Sequence, residues 1–242
     1  MATLILVHGA WHGPWCWERL VPLLEAKGHT VLTPALPGHD TADGAPATTT
    51  LEDYGRAIAS VANGESGQVV LVGHSMGGAV ITHAAALSSN VAGLIYLAAF
   101  VPDHGDSIAE LAGAAPADEL SERVALAPDG GRTVIEDGAG SDVFYADCTA
   151  EDQSRANARL IPQPIQPITE ALEDPEGRAA SLPAFGIICT QDRAVHPDLQ
   201  RDMCDARGMP TSEMAASHSP FLSVPQDLAD EINKALGKMG VS

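Results

Sequence analysis

Short apolar runs alternating with longer helical stretches constrain this chain more than any other feature. Residues 3–8 (TLILVH), 29–35 (HTVLTPA), 68–73 (QVVLVG), 93–100 (GLIYLAAF) and 184–190 (AFGIICT) are rich in aliphatic and β-branched side chains, without the polar alternation of a half-solvated strand. Residues 211–217 (TSEMAAS) are a sixth candidate. Runs of this kind suit strands covered on both faces. Helical segments are expected over 14–27, 50–64, 76–88, 197–207 and 224–238. At 50–53 (TLED) a capping box is available, in which the Thr50 hydroxyl accepts a backbone N–H and Asp53 reaches back. Strand–helix alternation implies βαβ units, hence an α/β fold with a mainly parallel sheet.

The alternation fails between 102 and 182. That stretch is acidic, rich in Ala, Gly and Pro, and includes IPQPIQPI at 161–168. Pro162, Pro164 and Pro167 lack backbone donors and are expected to interrupt any ladder or helix there. We read 102–182 as an inserted cap of short helices and loops over the carboxyl edge of a core formed by 1–101 and 183–242.

Composition narrows the function. With 32 Asp+Glu against 13 Lys+Arg the formal charge is −19, and no basic cluster interrupts it, which disfavours nucleic-acid and anionic-membrane partners. The opening MATLILVHGAW has no basic leader, and its apolar run is too short for a signal peptide or a membrane span. Cys16, Cys148, Cys189 and Cys204 are scattered without CxxC spacing, so they read as reduced, structural thiols of a cytoplasmic protein rather than a metal site.

Gly73-His74-Ser75-Met76-Gly77 lies between an apolar strand and an Ala-rich helical stretch. The pattern G-x-S-x-G in that context is the nucleophile elbow of α/β-hydrolases: a sharp turn that lifts the serine hydroxyl above the sheet. A serine nucleophile needs a base, and the base needs an orienting acid, in the chain order Ser, acid, His. Of nine histidines, His8, His12, His29, His39, His74, His83 and His104 come too early. His196 shares a loop with the expected acid. His218, after the last strand candidate, stands where a base belongs. Asp192, just past 184–190, is the acid, with Asp103 its rival after 93–100. Backbone N–H groups of Ala10, in the loop after the first strand, and of Met76, after the nucleophile, are the expected oxyanion donors. His8 is expected to support that loop by hydrogen bonding. Trp11 is a candidate either for the acyl pocket or for the core. Trp15 and Trp17 cannot share a helix face, so one of them belongs to the core.

The opening LVHGAWHGPWCWERLVPLLEAKGHTV, the elbow GHSMGG, the acid turn CTQDRAV, the late SHSPFLSVP and the cap stretch FYADCTAEDQSRANARLIPQPIQPI together resemble the hydroxynitrile lyase/plant methylesterase branch of α/β-hydrolases, in particular its bacterial carboxylesterases. The resemblance covers essentially the whole chain. It implies a six-stranded core with a helical cap, a buried ester pocket, no cofactor and no metal, a triad of Ser75, Asp192 and His218, oxyanion donors at Ala10 and Met76, and allows a homodimer. Cyanohydrin lyases of that branch carry threonine or asparagine where Gly9 stands, and the (S)-selective ones carry lysine where Ser219 stands. The expected activity is therefore ester hydrolysis, and the apolar, Pro-rich composition of the cap points to small to medium uncharged esters. The alternatives are a carbon–carbon lyase on the same triad and a ligand-binding receptor on the same scaffold.

Overall fold

Along the chain, β1 (Thr3–Val7), α1 (Val21–Glu25), β2 (Thr30–Leu32), α2 (Leu51–Gly64), β3 (Val69–His74), α3 (Gly77–Leu87) and β4 (Val91–Leu97) carry the first half of the alternation. An excursion follows through α4 (Ile108–Ala114), β5 (Val124–Leu126), β6 (Arg132–Ile135), α5 (Gly140–Val143), α6 (Ala150–Asn157), β7 (Gln163–Pro164) and α7 (Gln166–Thr169). The alternation resumes with β8 (Ala184–Cys189), α8 (Pro197–Ala206), β9 (Thr211–Met214), α9 (Pro220–Ser223) and α10 (Pro225–Met239). The computed structural model describes residues 1–114 and 119–241; residues 115–118 of the expected cap lie outside them.

The chain has the α/β-hydrolase fold. Six strands pair in the order β2-β1-β3-β4-β8-β9, and every pairing is parallel. All six residues of β3 are buried, as are Leu4 to Val7 of β1, which accounts for their unbroken apolar sequence. Trp17, Tyr54, Tyr96, Phe185 and Phe221 are fully buried, each worth roughly 1.5–3 kcal/mol of apolar burial. Trp17 is thus the core tryptophan, while Trp15 is half-buried, stacked on His12 and covered by the Arg159 guanidinium. The capping box at the start of α2 forms as expected: Asp53 N–H donates to Thr50 Oγ1 and Thr50 N–H donates to an Asp53 carboxylate oxygen, each at 3.0 Å. Gly78, in the first turn of α3, permits the close approach of that helix to the chain beyond β4. A Cβ there would lie 2.0 Å from the carbonyl oxygen of Phe100.

Three expectations need correction. The single helix at 14–27 is instead a 3-10 turn at Pro14–Trp17 followed by the short α1. The 102–182 segment contains strands as well as helices, because β5, β6 and β7 form a small antiparallel sheet. Pro164 does not interrupt that ladder; it pairs with Arg132 on the outermost strand, where a missing N–H is tolerated. Pro167 likewise sits in the first turn of α7, where its N–H would have had no helical partner. No helix among the described residues is long and apolar enough to cross a membrane.

Candidate active site

Because the strands run parallel, their carboxyl ends share one edge of the sheet, and the loops leaving β1, β3, β8 and β9 meet there. Ser75 follows β3 directly and adopts φ +55°, a left-handed conformation that costs a non-glycine residue on the order of 1–2 kcal/mol. Three hydrogen bonds hold it: Ser75 N–H to Leu97 O at 3.3 Å, and Gly78 and Phe100 N–H to Ser75 O at 3.0 and 3.2 Å. The neighbouring backbone thereby over-determines a strained turn. Ser75 is 8% exposed and opens onto a cavity of about 370 Å³.

His218, in the loop after β9, and Asp192, after β8, are both buried, and His218 Nδ1 lies 2.8 Å from Asp192 Oδ2. A carboxylate only accepts, so Nδ1 carries a proton, and in the neutral ring Nε2 presents its lone pair. The Asp192 carboxylate is fixed from three further directions. Its Oδ1 accepts from Ala194 N–H (2.8 Å) and Val195 N–H (2.9 Å), and its Oδ2 accepts from Gln200 Nε2 (2.9 Å). His74 packs its ring 4.4 Å from that of His218 and donates Nε2–H to the His218 carbonyl at 2.8 Å. No hydrogen bond joins the Ser75 hydroxyl to His218 among the described residues. Such bonds commonly tighten only when substrate is present.

The loop after β1 approaches from the other side. Gly9 lies against Ser75, and a Cβ on it would stand 2.9 Å from Ser75 Cβ. Three imidazoles hold the loop's carbonyls: His8 Nδ1 on Gly9 O (2.9 Å), His12 Nδ1 on Ala10 O (2.8 Å) and His39 Nδ1 on His12 O (2.6 Å). Each ring's second nitrogen faces a donor, namely Leu36 N–H on His8, the Tyr145 hydroxyl on His12 and the Tyr54 hydroxyl on His39. Burial, the largest cause in each case, favours the neutral ring. It holds His8 and His74 well below the ordinary histidine range, lowers His39, and brings His12 down to about 4. Since His8 fixes the Gly9 carbonyl, it also fixes the peptide plane that carries Ala10 N–H. Neither Ala10 N–H nor Met76 N–H is engaged by another group among the described residues. Both residues line the cavity beside Ser75.

The cavity is apolar. Trp11 and Phe100 line it from the sheet side, and Ile108, Leu120, Val124 and Ile168 from the 102–182 segment; no ionisable side chain lines it among the described residues. Trp11, with φ +58°, also donates its indole N–H to Thr133 O and Oγ1, each at 3.2 Å. A larger surface groove, about 680 Å³, runs past Glu52, His83, Glu170 and Glu173. It includes none of the residues around Ser75, and Glu170 is occupied in accepting Leu51 N–H at 2.9 Å, so the smaller cavity is the candidate reaction site.

Asp103, the rival acid, is exposed, and its carboxylate stands 3.7 Å from Arg207 rather than near His218. His196 caps α8 by accepting Asp198 N–H. Gln200 was not singled out from sequence. It is the polar member of the buried stripe Leu199, Gln200, Met203 and Cys204 on α8, and a polar side chain inside an apolar stripe was the available signal. The four cysteines are free, and no group of three or more His, Cys, Asp or Glu is placed to hold a metal among the described residues.

A family profile described as the alpha/beta hydrolase family matches residues 4–231. The chain is 33% identical to a pyrethroid hydrolase of Sphingobium wenxiniae, over 96% of this chain and 86% of that protein. It is 30% identical to methylesterase 7 of Arabidopsis thaliana, over 93% and 92%. The crystal structure of a pyrethroid hydrolase from Sphingobium faniae superimposes with a TM-score of 0.85 at 29% identity, over 96% of each chain.

Proposed function

The chain belongs to the alpha/beta hydrolase family and is a carboxylic ester hydrolase; from that premise we propose that it is a serine esterase working through Ser75, His218 and Asp192, with Ala10 and Met76 N–H as its oxyanion hole. The observation that carries this reading is the 2.8 Å contact from Asp192 to His218 Nδ1, at the same sheet edge as a strained serine that opens onto an apolar cavity. His218 Nε2 takes the Ser75 proton as Oγ attacks the ester carbonyl. The resulting oxyanion is held by the two backbone donors, the imidazolium protonates the departing alcohol, and His218 then activates water to release the acid.

The substrates are small to medium uncharged esters. A charged ester would leave its hydration shell for a cavity that no ionisable side chain among the described residues lines, which is costly. An ester is also what the methylesterase relative is named for, and the Sphingobium relative is named a hydrolase. The lid is the 102–182 segment, over a core of 1–101 and 183–242, and four free thiols support a reducing, cytoplasmic setting.

A panel of p-nitrophenyl esters with varied acyl length, assayed with wild type and Ser75→Ala, tests the assignment. Wild type is expected to turn over the neutral members, and Ser75→Ala to lose at least about 10⁴-fold in kcat. An alanine variant as active as the parent would sink the proposal. Mandelonitrile, run alongside, separates hydrolysis from cyanohydrin cleavage. Cyanide release faster than ester hydrolysis would reverse the assignment.

A further inference from the structure

One short turn of the 102–182 segment touches both halves of the site. Phe144 and Tyr145 are buried at 1% and 0% exposure, and their N–H groups both fold back onto Gly140 O, at 2.9 and 3.1 Å. The Tyr145 carbonyl accepts from Gln153 Nε2 on α6 at 3.0 Å and from Cys148 N–H at 2.9 Å. The turn is therefore fixed from both sides by its own segment. From it, the Tyr145 hydroxyl reaches His12 Nε2 at 2.8 Å, and His12 in turn holds the Ala10 carbonyl at 2.8 Å. That arm ends at the residue whose N–H serves the oxyanion.

A second arm leaves the same turn. Asp147 Oδ2 accepts Ser217 N–H at 3.0 Å, its Oδ1 accepts the Ser217 hydroxyl, and that hydroxyl also lies 3.4 Å from Phe144 O. Ser217 immediately precedes the base. Between the arms, the Phe144 ring sits 6.0 Å from Trp11, 5.3 Å from His12 and 5.6 Å from His218, so it fills the gap between the oxyanion loop and the base.

We propose that residues 144–147 are a positioning element: Tyr145 sets the oxyanion donor through His12, Asp147 sets His218 through Ser217, and the turn fixes the distance between the two. Neither residue lines the cavity beside Ser75, so the element acts on the geometry of the reacting groups and not on substrate fit. This rests on the assignment of Ser75, His218 and Ala10 made above. It links the segment over the site to the rate of the chemical step, in addition to any part it has in admitting substrate.

The test pairs Tyr145→Phe, which removes one hydroxyl, with Asp147→Asn, and measures kcat and KM separately on a short-acyl and a long-acyl p-nitrophenyl ester. Affinity for a trifluoromethyl ketone, which forms a tetrahedral adduct on the serine, is measured on the same proteins. Each variant is expected to lose about tenfold in kcat, part of the 10²–10³ that removing one oxyanion donor costs. KM should stay within twofold for both esters, and ketone affinity should weaken in proportion to kcat/KM. Ser217→Ala severs the second arm from the core side and is expected to reproduce Asp147→Asn, should that variant fold poorly. Ser75→Ala is run in parallel: if it remains active, the assignment of the nucleophile fails. If it is dead while either Tyr145→Phe or the Asp147 arm keeps kcat within twofold of wild type, or changes KM alone, the positioning proposal is overturned and the nucleophile stands.

Discussion

Asp192 shows how much of the site depends on the placement of single atoms. Both acceptor positions of Oδ1 are taken by Ala194 and Val195 N–H, so that end of the carboxyl must present oxygen. In Asp192→Asn the amide nitrogen would oppose two fixed backbone donors at the Oδ1 position but only one, Gln200 Nε2, at the Oδ2 position once His218 changes tautomer, so it is driven to Oδ2, against His218 Nδ1. It then donates where Asp192 accepted, His218 is forced into the tautomer protonated at Nε2, and the lone pair needed for Ser75 is lost. We expect kcat to fall by about 10⁴-fold with little change in KM. Steady-state kinetics on a p-nitrophenyl ester checks this, and a loss below tenfold would mean that Asp192 does not set the tautomer. At this scale the sequence was most legible. A serine between glycines after an apolar strand, an aspartate just past a later strand and a histidine past the last one are positions that a parallel sheet brings to one edge.

At the scale of elements, the core was legible where local and tertiary demands coincide. Strands buried on both faces write themselves as continuous apolar runs, and α2 carries its own capping box. Legibility failed where long-range contacts decide. β5, β6 and β7 hold two to four residues each, too few to show a period, and β7 contains a proline that pairs only because it sits on an outer strand. The 14–27 stretch has helical spacing but breaks after Trp17, whose ring is drawn into the core against Phe221 at a centroid distance of 5.0 Å. Histidines were hardest to read. His8, His12, His39 and His74 come too early in the chain to be the base, and each has one nitrogen committed to a backbone carbonyl, a use that carries no local signature. Only the supporting part of His8 was anticipated. The Tyr145 and Asp147 arms join positions 133 and 70 residues apart, beyond the reach of any spacing argument.

For the molecule as a whole, four buried neutral imidazoles predict acid sensitivity. In the unfolded chain a histidine titrates near 6.5, whereas burial brings folded His12 to about 4 and lowers the other three. As pH falls below about 6.5 the unfolded state takes up protons that the folded state refuses, so stability is full above that pH and declines toward pH 4. His12 alone accounts for about 3 kcal/mol of that decline. Denaturant titrations from pH 8 to pH 4 should show it, with a shallower slope in His12→Asn than in wild type; parallel curves would contradict it. Three of these imidazoles hold the loop after β1 and His74 holds the His218 carbonyl, so global stability and site geometry depend on one set of protonation states.

The central claim is that Ser75 is the nucleophile of an esterase, and labelling with a fluorophosphonate tests it most directly. Intact-mass and peptide mapping should find one adduct per chain, on Ser75, with esterase activity falling in proportion to labelling. An adduct on another residue, or full activity in fully labelled protein, would contradict the account.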